Sequence, residues 1–170
     1  MANRVFVSVQ EKMDEPVWLC KVEPFVQKAL KRIGYDREEL SLLFCDDAFI
    51  QELNKNYRQI DSATDVLSFE NGDEYEDEEG TWFCAGDIII SVETLPKNAA
   101  YFEVDENSEL KRLLVHGLLH LNGMDHGDEH IEKGVAPEGE MLVLQEQILE
   151  ELKDEIFHIM LKKFESKTTN

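Results

Sequence analysis

Three of the five histidines share one short segment, VHGLLHLNGMDHG, from Val115 to Gly127. His116 and His120 are four apart, so on a helix their imidazoles project from one face, one turn from each other. Gly123 would end such a helix and let the chain turn back, allowing His126 to meet the other two from the far side. Three neutral imidazole nitrogens converging on one point, with a coordination position left open, form the ligand set of a catalytic zinc. A lone histidine on an apolar helix face is ordinarily a satisfied core residue. Partners at +4 and +10 with a glycine between them argue for a metal instead.

The remaining candidates are weaker. His130 could compete as a ligand or supporting partner but reads as a loop residue, and His158 reads as packing or surface. Asp125 could accept the N–H of a ligand imidazole or hold the turn through its own side chain, and residue type does not separate the two. The spacing H-x-x-x-H-x-x-G-x-x-H also fits the metzincin proteases, which place a glutamate directly after the first histidine as general base. Here that residue is Gly117, which carries no proton. A protease working by that mechanism is therefore not expected.

The elements that must position these groups alternate between strands and helices. Arg4–Gln10 reads as a strand, and Glu15–Ile33 carries helical apolar spacing whose regular part starts near Pro24 and stops at Gly34. Leu40–Cys45 is a short apolar run of buried-strand length, and Asp46 or Asp47 caps a helix facing inward through Ile50, Leu53 and Tyr57. Beyond a polar loop lie strands at Val66–Glu70, Thr81–Cys84 and Asp87–Ser91. The acidic stretch 71–80 between them reads as a solvated loop or hairpin tip. Helices are expected at Leu95–Phe102, Glu106–Asn122 and Gly139–Phe164, the last with a core stripe of Met141, Leu144, Ile148, Leu152 and Ile156. The order gives an α+β fold, a four- or five-stranded mixed sheet packed with helices, in one domain over residues 1–165 with a frayed tail at 166–170.

Composition sets the outer limits. The chain has 170 residues and a formal net charge of −20, with 37 acidic side chains against 17 basic. That excludes a generally basic nucleic-acid coat and discourages adhesion to anionic membranes, but leaves room for a small basic lip near the site, from Lys55, Arg58, Lys97, Lys111 and Arg112. No apolar run reaches the roughly 18 residues of a membrane helix, and the start lacks the pattern of a signal peptide. Cys20, Cys45 and Cys84 are odd in number and far apart, as expected of reduced core thiols in a cytoplasmic protein.

HGLLHLNGMDH resembles the signature HGxLHLxGxDH of the YbeY family of bacterial metal-dependent endoribonucleases. Two further blocks agree in order and spacing: LNKNYRQIDSATDVLSF from Leu53 to Phe69, and GDIIIS from Gly86 to Ser91. Met124 departs from the family, which commonly has an aromatic residue there. The resemblance implies one zinc per chain on His116, His120 and His126, and an important arginine at Arg58. It also implies action on single-stranded ribosomal RNA at the ribosome or its small subunit, in maturation of the small-subunit rRNA 3′ end and in ribosome quality control, with neither DNA nor membrane as partner. An arginine suits such a site, because its guanidinium can hold a phosphate bidentately. From spacing alone, Arg58 could equally be a solvated residue over exposed helix-end carbonyls. Zinc could polarise the scissile phosphate or supply hydroxide, and the residues do not identify a general base. The rival readings are a metallopeptidase with its base elsewhere, or a non-catalytic ribosome-assembly factor with a structural metal, for which His130 or Cys84 would be the fourth ligand.

Overall fold

The computed structural model describes residues 3–127, 129–132, 134–155 and 157. Strand β1 (Arg4–Val9) leads through a 3₁₀ turn at Leu19–Lys21 into helix α1 (Val22–Ile33), which closes on left-handed Gly34. Strand β2 (Glu38–Cys45) and helix α2 (Asp47–Arg58) follow. Asp46 is the N-cap of α2, accepting from the Phe49 amide at 2.8 Å. Strands β3 (Val66–Glu70), β4 (Glu74–Asp77) and β5 (Gly80–Ser91) come next, and α3 (Thr94–Phe102), α4 (Glu106–Leu121) and α5 (Glu140–Glu151) complete the order.

The strands form one mixed sheet in the order β1-β2-β5-β3, with β4 pairing the first half of β5. β1, β2 and β5 run parallel, while β3 and β4 are antiparallel to β5. One face buries Val5, Leu40, Leu42, Ile88 and Ile90 against α1 and α4. The other packs Leu67 and Ile89 beneath Ile50 of α2. Helix α4 touches α1, α3, α5, β3 and β5, and most of its side chains are buried. Its approach to the sheet is close because Gly117 has no side chain. A Cβ there would meet the Ile88 side chain at 2.9 Å.

Several sequence expectations are revised. Thr81–Cys84 and Asp87–Ser91 are one strand, not two, because Gly86 at φ 137° absorbs a register shift between Glu39 and Leu40 of β2 without breaking the ladder. Of the two readings of the acidic stretch the structure shows the hairpin, with β4 paired antiparallel to β5; it is tied down at Arg4, which stacks 3.6 Å over the Trp82 ring and pairs with Asp77 at 2.8 Å. Helix α5 ends at Glu151 rather than running on. The Lys111 ammonium donates to the carbonyls of Leu152 and Lys153 at 2.9 and 3.0 Å, and the turned chain lets Phe157 pack edge-on against Phe25. Tyr57 does not face inward with Ile50 but is 65% exposed. Cys45 is buried and Cys84 half-buried, but Cys20 is exposed and so is not a core thiol. Ile156, His158 and residues 166–170 lie outside the described residues.

Gly86 yields a direct test. A Cβ at this position would sit 1.9 Å from the Phe69 carbonyl oxygen, on a backbone that L-residues rarely adopt. Gly86→Ala is expected to cost about 3 kcal/mol or more, read as a lowered urea midpoint with an unchanged slope.

Candidate metal centre

The buried helix α4 carries His116 and His120 on one face, and a Schellman closure turns the chain back toward them. Gly123, at φ 84°, donates to the His120 carbonyl at 3.0 Å, and Met124 donates to the Leu119 carbonyl at 3.0 Å. His126 then returns, its ring centre 5.2 Å from that of His116 and 5.3 Å from that of His120. One nitrogen from each of the three rings lies within 4.8 Å of the others.

Hydrogen bonds fix which nitrogens are free. Nδ1 of His120 contacts the Met124 carbonyl at 3.0 Å. A carbonyl only accepts, so that nitrogen carries the proton. Nδ1 of His116 likewise donates to Oε1 of Gln145, at 2.8 Å. In the neutral rings both Nε2 atoms are therefore unprotonated, and they then face each other at 3.1 Å with no hydrogen between them. Nδ1 of His126 is buried beside them with no hydrogen-bond partner among the described residues. Opposed lone pairs and an orphaned nitrogen are the condition a cation relieves. Imidazole nitrogens about 3.3 Å apart are what a tetrahedral ion with Zn–N bonds of about 2.0 Å requires. The donor set thus fits a zinc-like divalent ion.

Electrostatics act the same way. Burial pushes the His116 pKa down from 6.5 to about 4, the Gln145 bond opposing it only in part. Burial, and then the proximity of His126, lowers that of His120. Neutral imidazoles are the form that binds metal. Among the described residues no fourth histidine, cysteine or carboxylate joins the group, so His130 and Cys84 do not supply the closed set of a structural site. His130 is exposed, its ring 5.5 Å from that of His126. Asp125 accepts from the Gly127 amide at 3.1 Å and so holds the turn.

The three rings open into a cavity of about 930 Å³ whose other walls include β3 and the end of α2, with Tyr57 and Arg58. Helix α2 stops there on left-handed Gln59, and Asn54 secures the following loop by donating to the Ser62 carbonyl at 2.8 Å. Of the five basic residues expected near the site, only Arg58 and Arg112 line the cavity. Lys111 is buried in the carbonyl contacts already described, and Lys97 pairs with Asp47 at 3.1 Å. Arg112 is gripped by Glu109 and stands 3.5 Å from Asp65, whereas the Arg58 guanidinium has no hydrogen bond or ion pair among the described residues.

Comparison with known proteins decides the family. The model of the family described as Endoribonuclease YbeY matches residues 7–153. A Treponema denticola protein named Endoribonuclease YbeY is 53% identical over 161 residues, covering 94% of this chain and all of the relative. The chain belongs to the YbeY family. The Aquifex aeolicus member is 38% identical over 150 residues, 88% of this chain and 92% of its own. The solution structure of TM1509 from Thermotoga maritima superposes with a TM-score of 0.57 at 25% identity, covering 87% of this chain and 88% of that one.

Within this YbeY chain, sequence reading missed Gln145. It is fully buried on α5, four residues after Met141 and three before Ile148. A polar side chain inside an apolar stripe was the available signal. Gln145→Leu should free the His116 tautomer and weaken binding of a divalent ion about 10- to 100-fold, measured by competition with a chromophoric chelator. Unchanged affinity would remove Gln145 from the site. The pH dependence has a definite sign. Unfolded His116 takes a proton near 6.5, whereas folded it resists protonation until about 4. Its contribution to stability is complete above pH 6.5 and is lost as pH falls toward 4. Metal-free wild type should therefore lose urea stability over that interval more steeply than His116→Asn.

Proposed function

We propose that this chain is a metal-dependent endoribonuclease that cuts single-stranded ribosomal RNA in the cytoplasm, with zinc on His116, His120 and His126. Its roles would be maturation of the small-subunit rRNA 3′ end and quality control at the ribosome. The observation that supports the reading is the convergence of three imidazole rings, one nitrogen of each within 4.8 Å of the others, in one open cavity that an uncommitted arginine also lines. Family membership supplies the substrate class. A divalent ion held there supplies Lewis-acid chemistry toward a phosphate oxygen and makes water more acidic.

The chain's own residues supply the rest. Arg58 presents a fork of donors to a non-bridging phosphate pair and offsets negative charge that grows as the phosphorus becomes five-coordinate. Arg112 cannot share this task on equal terms, because Glu109 and Asp65 already hold its guanidinium. Gln145 and the Met124 carbonyl keep the imidazoles turned inward. Peptide hydrolysis is disfavoured because Gly117, where a metzincin has its base, is packed on Ile88. Glu129, which also lines the cavity, has both carboxylate oxygens occupied by the amides of Glu138 and Gly139 at 2.8 Å.

The test is cleavage of unstructured RNA, matched duplex RNA and unfolded casein. Only the first should be cut, since duplex phosphates are fixed in A-form geometry. Activity should vanish with chelator and return with added zinc. Arg58→Ala should lower turnover about 100-fold or more with metal content intact, and Arg58→Lys should recover only part of it. Equal nicking by wild type and His116→Ala would sink the enzyme reading in favour of a non-catalytic assembly factor. A lower Tm with unchanged turnover in Arg58→Ala would reduce Arg58 to a helix-end residue.

A further inference from the structure

Tyr57 is the side chain that the fold places most conspicuously without using. It falls on the face of α2 that the apolar spacing turned inward, yet its ring is 65% exposed. The ring meets Phe69 of β3 edge-on, with centres 5.3 Å apart and planes at 67°. Phe69 is itself wedged in the small core beneath α2. Both rings line the cavity that holds the three histidines, and the next residue is Arg58. An edge-to-face contact uses one ring's edge and leaves the faces of the exposed ring available.

Charge gives this geometry its significance. A protein of net charge −20 gains little from phosphate contacts, and its cavity has one uncommitted cation among the described residues. Base–aromatic stacking does not depend on charge and tolerates any sequence, because every base has a π-face. Splayed single-stranded bases are the form of RNA that stacks on aromatic side chains; paired bases in a duplex are not available.

We propose that Tyr57, braced by Phe69, is the stacking platform for a nucleobase beside the scissile phosphate held by Arg58. The inference rests on the RNA-cleaving reading and adds to it the group that selects an unpaired nucleotide. Tyr57 touches the base rather than the reacting atoms, so it binds ground state and transition state alike. Its loss raises KM more than it lowers kcat.

The test uses metal-loaded wild type, Tyr57→Ala and Tyr57→Phe on a short unstructured RNA and on copies with one abasic nucleotide moved along the strand. Anisotropy binding of the 2′-O-methyl strand gives a second readout that needs no turnover. Tyr57→Ala should raise KM and Kd about tenfold, the scale of one lost base–aromatic stack, while Tyr57→Phe stays within about twofold of wild type. One abasic position should cost wild type about the same factor and cost Tyr57→Ala nothing more. Metal content and Tm should be those of wild type, as expected for an exposed ring. Wild-type KM and Kd in Tyr57→Ala, an equal abasic penalty in both proteins, or an equal loss in Tyr57→Phe would each overturn the stacking role. If wild type neither binds nor cuts any RNA, it is the RNA-cleaving reading that fails, and the platform falls with it.

Discussion

Two imidazole lone pairs held 3.1 Å apart are the interaction on which the rest of this structure depends. Nothing in a metal-free core favours that approach, so the surrounding protein must impose it. The means is to occupy each opposite nitrogen: Nδ1 of His120 is tied to the Met124 carbonyl and Nδ1 of His116 to Gln145. The first partner comes from the closure of α4 and the second from α5, so two elements separated in sequence must both be in place. Helix α4 in turn reaches its depth only because Gly117 sits on Ile88 of β5. The same glycine that removes a protease's base thus lets the histidine-bearing helix pack against the sheet.

The polar groups of α4 are held to the same standard. Glu109, Lys111 and Asn107 are all buried, and each has partners: Arg112, the carbonyls at the end of α5, and the backbone around Phe157. Burial of charge without such partners would be costly, and a single missing partner would leave an ion or amide stranded. These contacts orient α5 on α4, and that orientation brings Gln145 to His116. Structural polarity and site polarity are therefore one connected network rather than a scaffold with a site added.

Much of this was legible in the chain. The histidine spacing picked out the three rings that converge, Gly123 identified the closure, and the strand at Val66–Glu70 lies where its apolar run placed it. What stayed hidden was tertiary. Local spacing extends α5 past Glu151, but Lys111, forty-one residues away from Leu152, takes the carbonyls instead. Helical periodicity turns Tyr57 inward with Ile50, but the small core beneath α2 is filled by Leu53, Phe49 and Phe69 before the last turn is reached. Gln145 was passed over because a core stripe is read by its apolar members, and a polar residue within it is the signal that such a reading discards. The resemblance singled out Arg58, but residue type and spacing alone did not separate it from Arg112, since what separates them physically is whether carboxylates already hold them.

That ranking bears on how a strongly acidic protein can handle a polyanion. Acidic side chains in the cavity wall, Asp65, Glu70, Asp125 and Glu129 among them, repel a phosphate chain that approaches generally. Each of Asp65, Asp125 and Glu129 is tied to a donor, which fixes it in place and limits its reach. On the proposed reading a phosphate is then favoured only in the part of the cavity that Arg58 and the three imidazoles line, and disfavoured around it. Attraction that is local rather than distributed gives weak affinity for free RNA with a shallow salt dependence, about one to two phosphate contacts rather than the six to ten of strong binders. It also leaves little purchase for adventitious strands. On the proposed reading, an enzyme built this way holds its substrate through short-range contacts rather than through a distributed positive field.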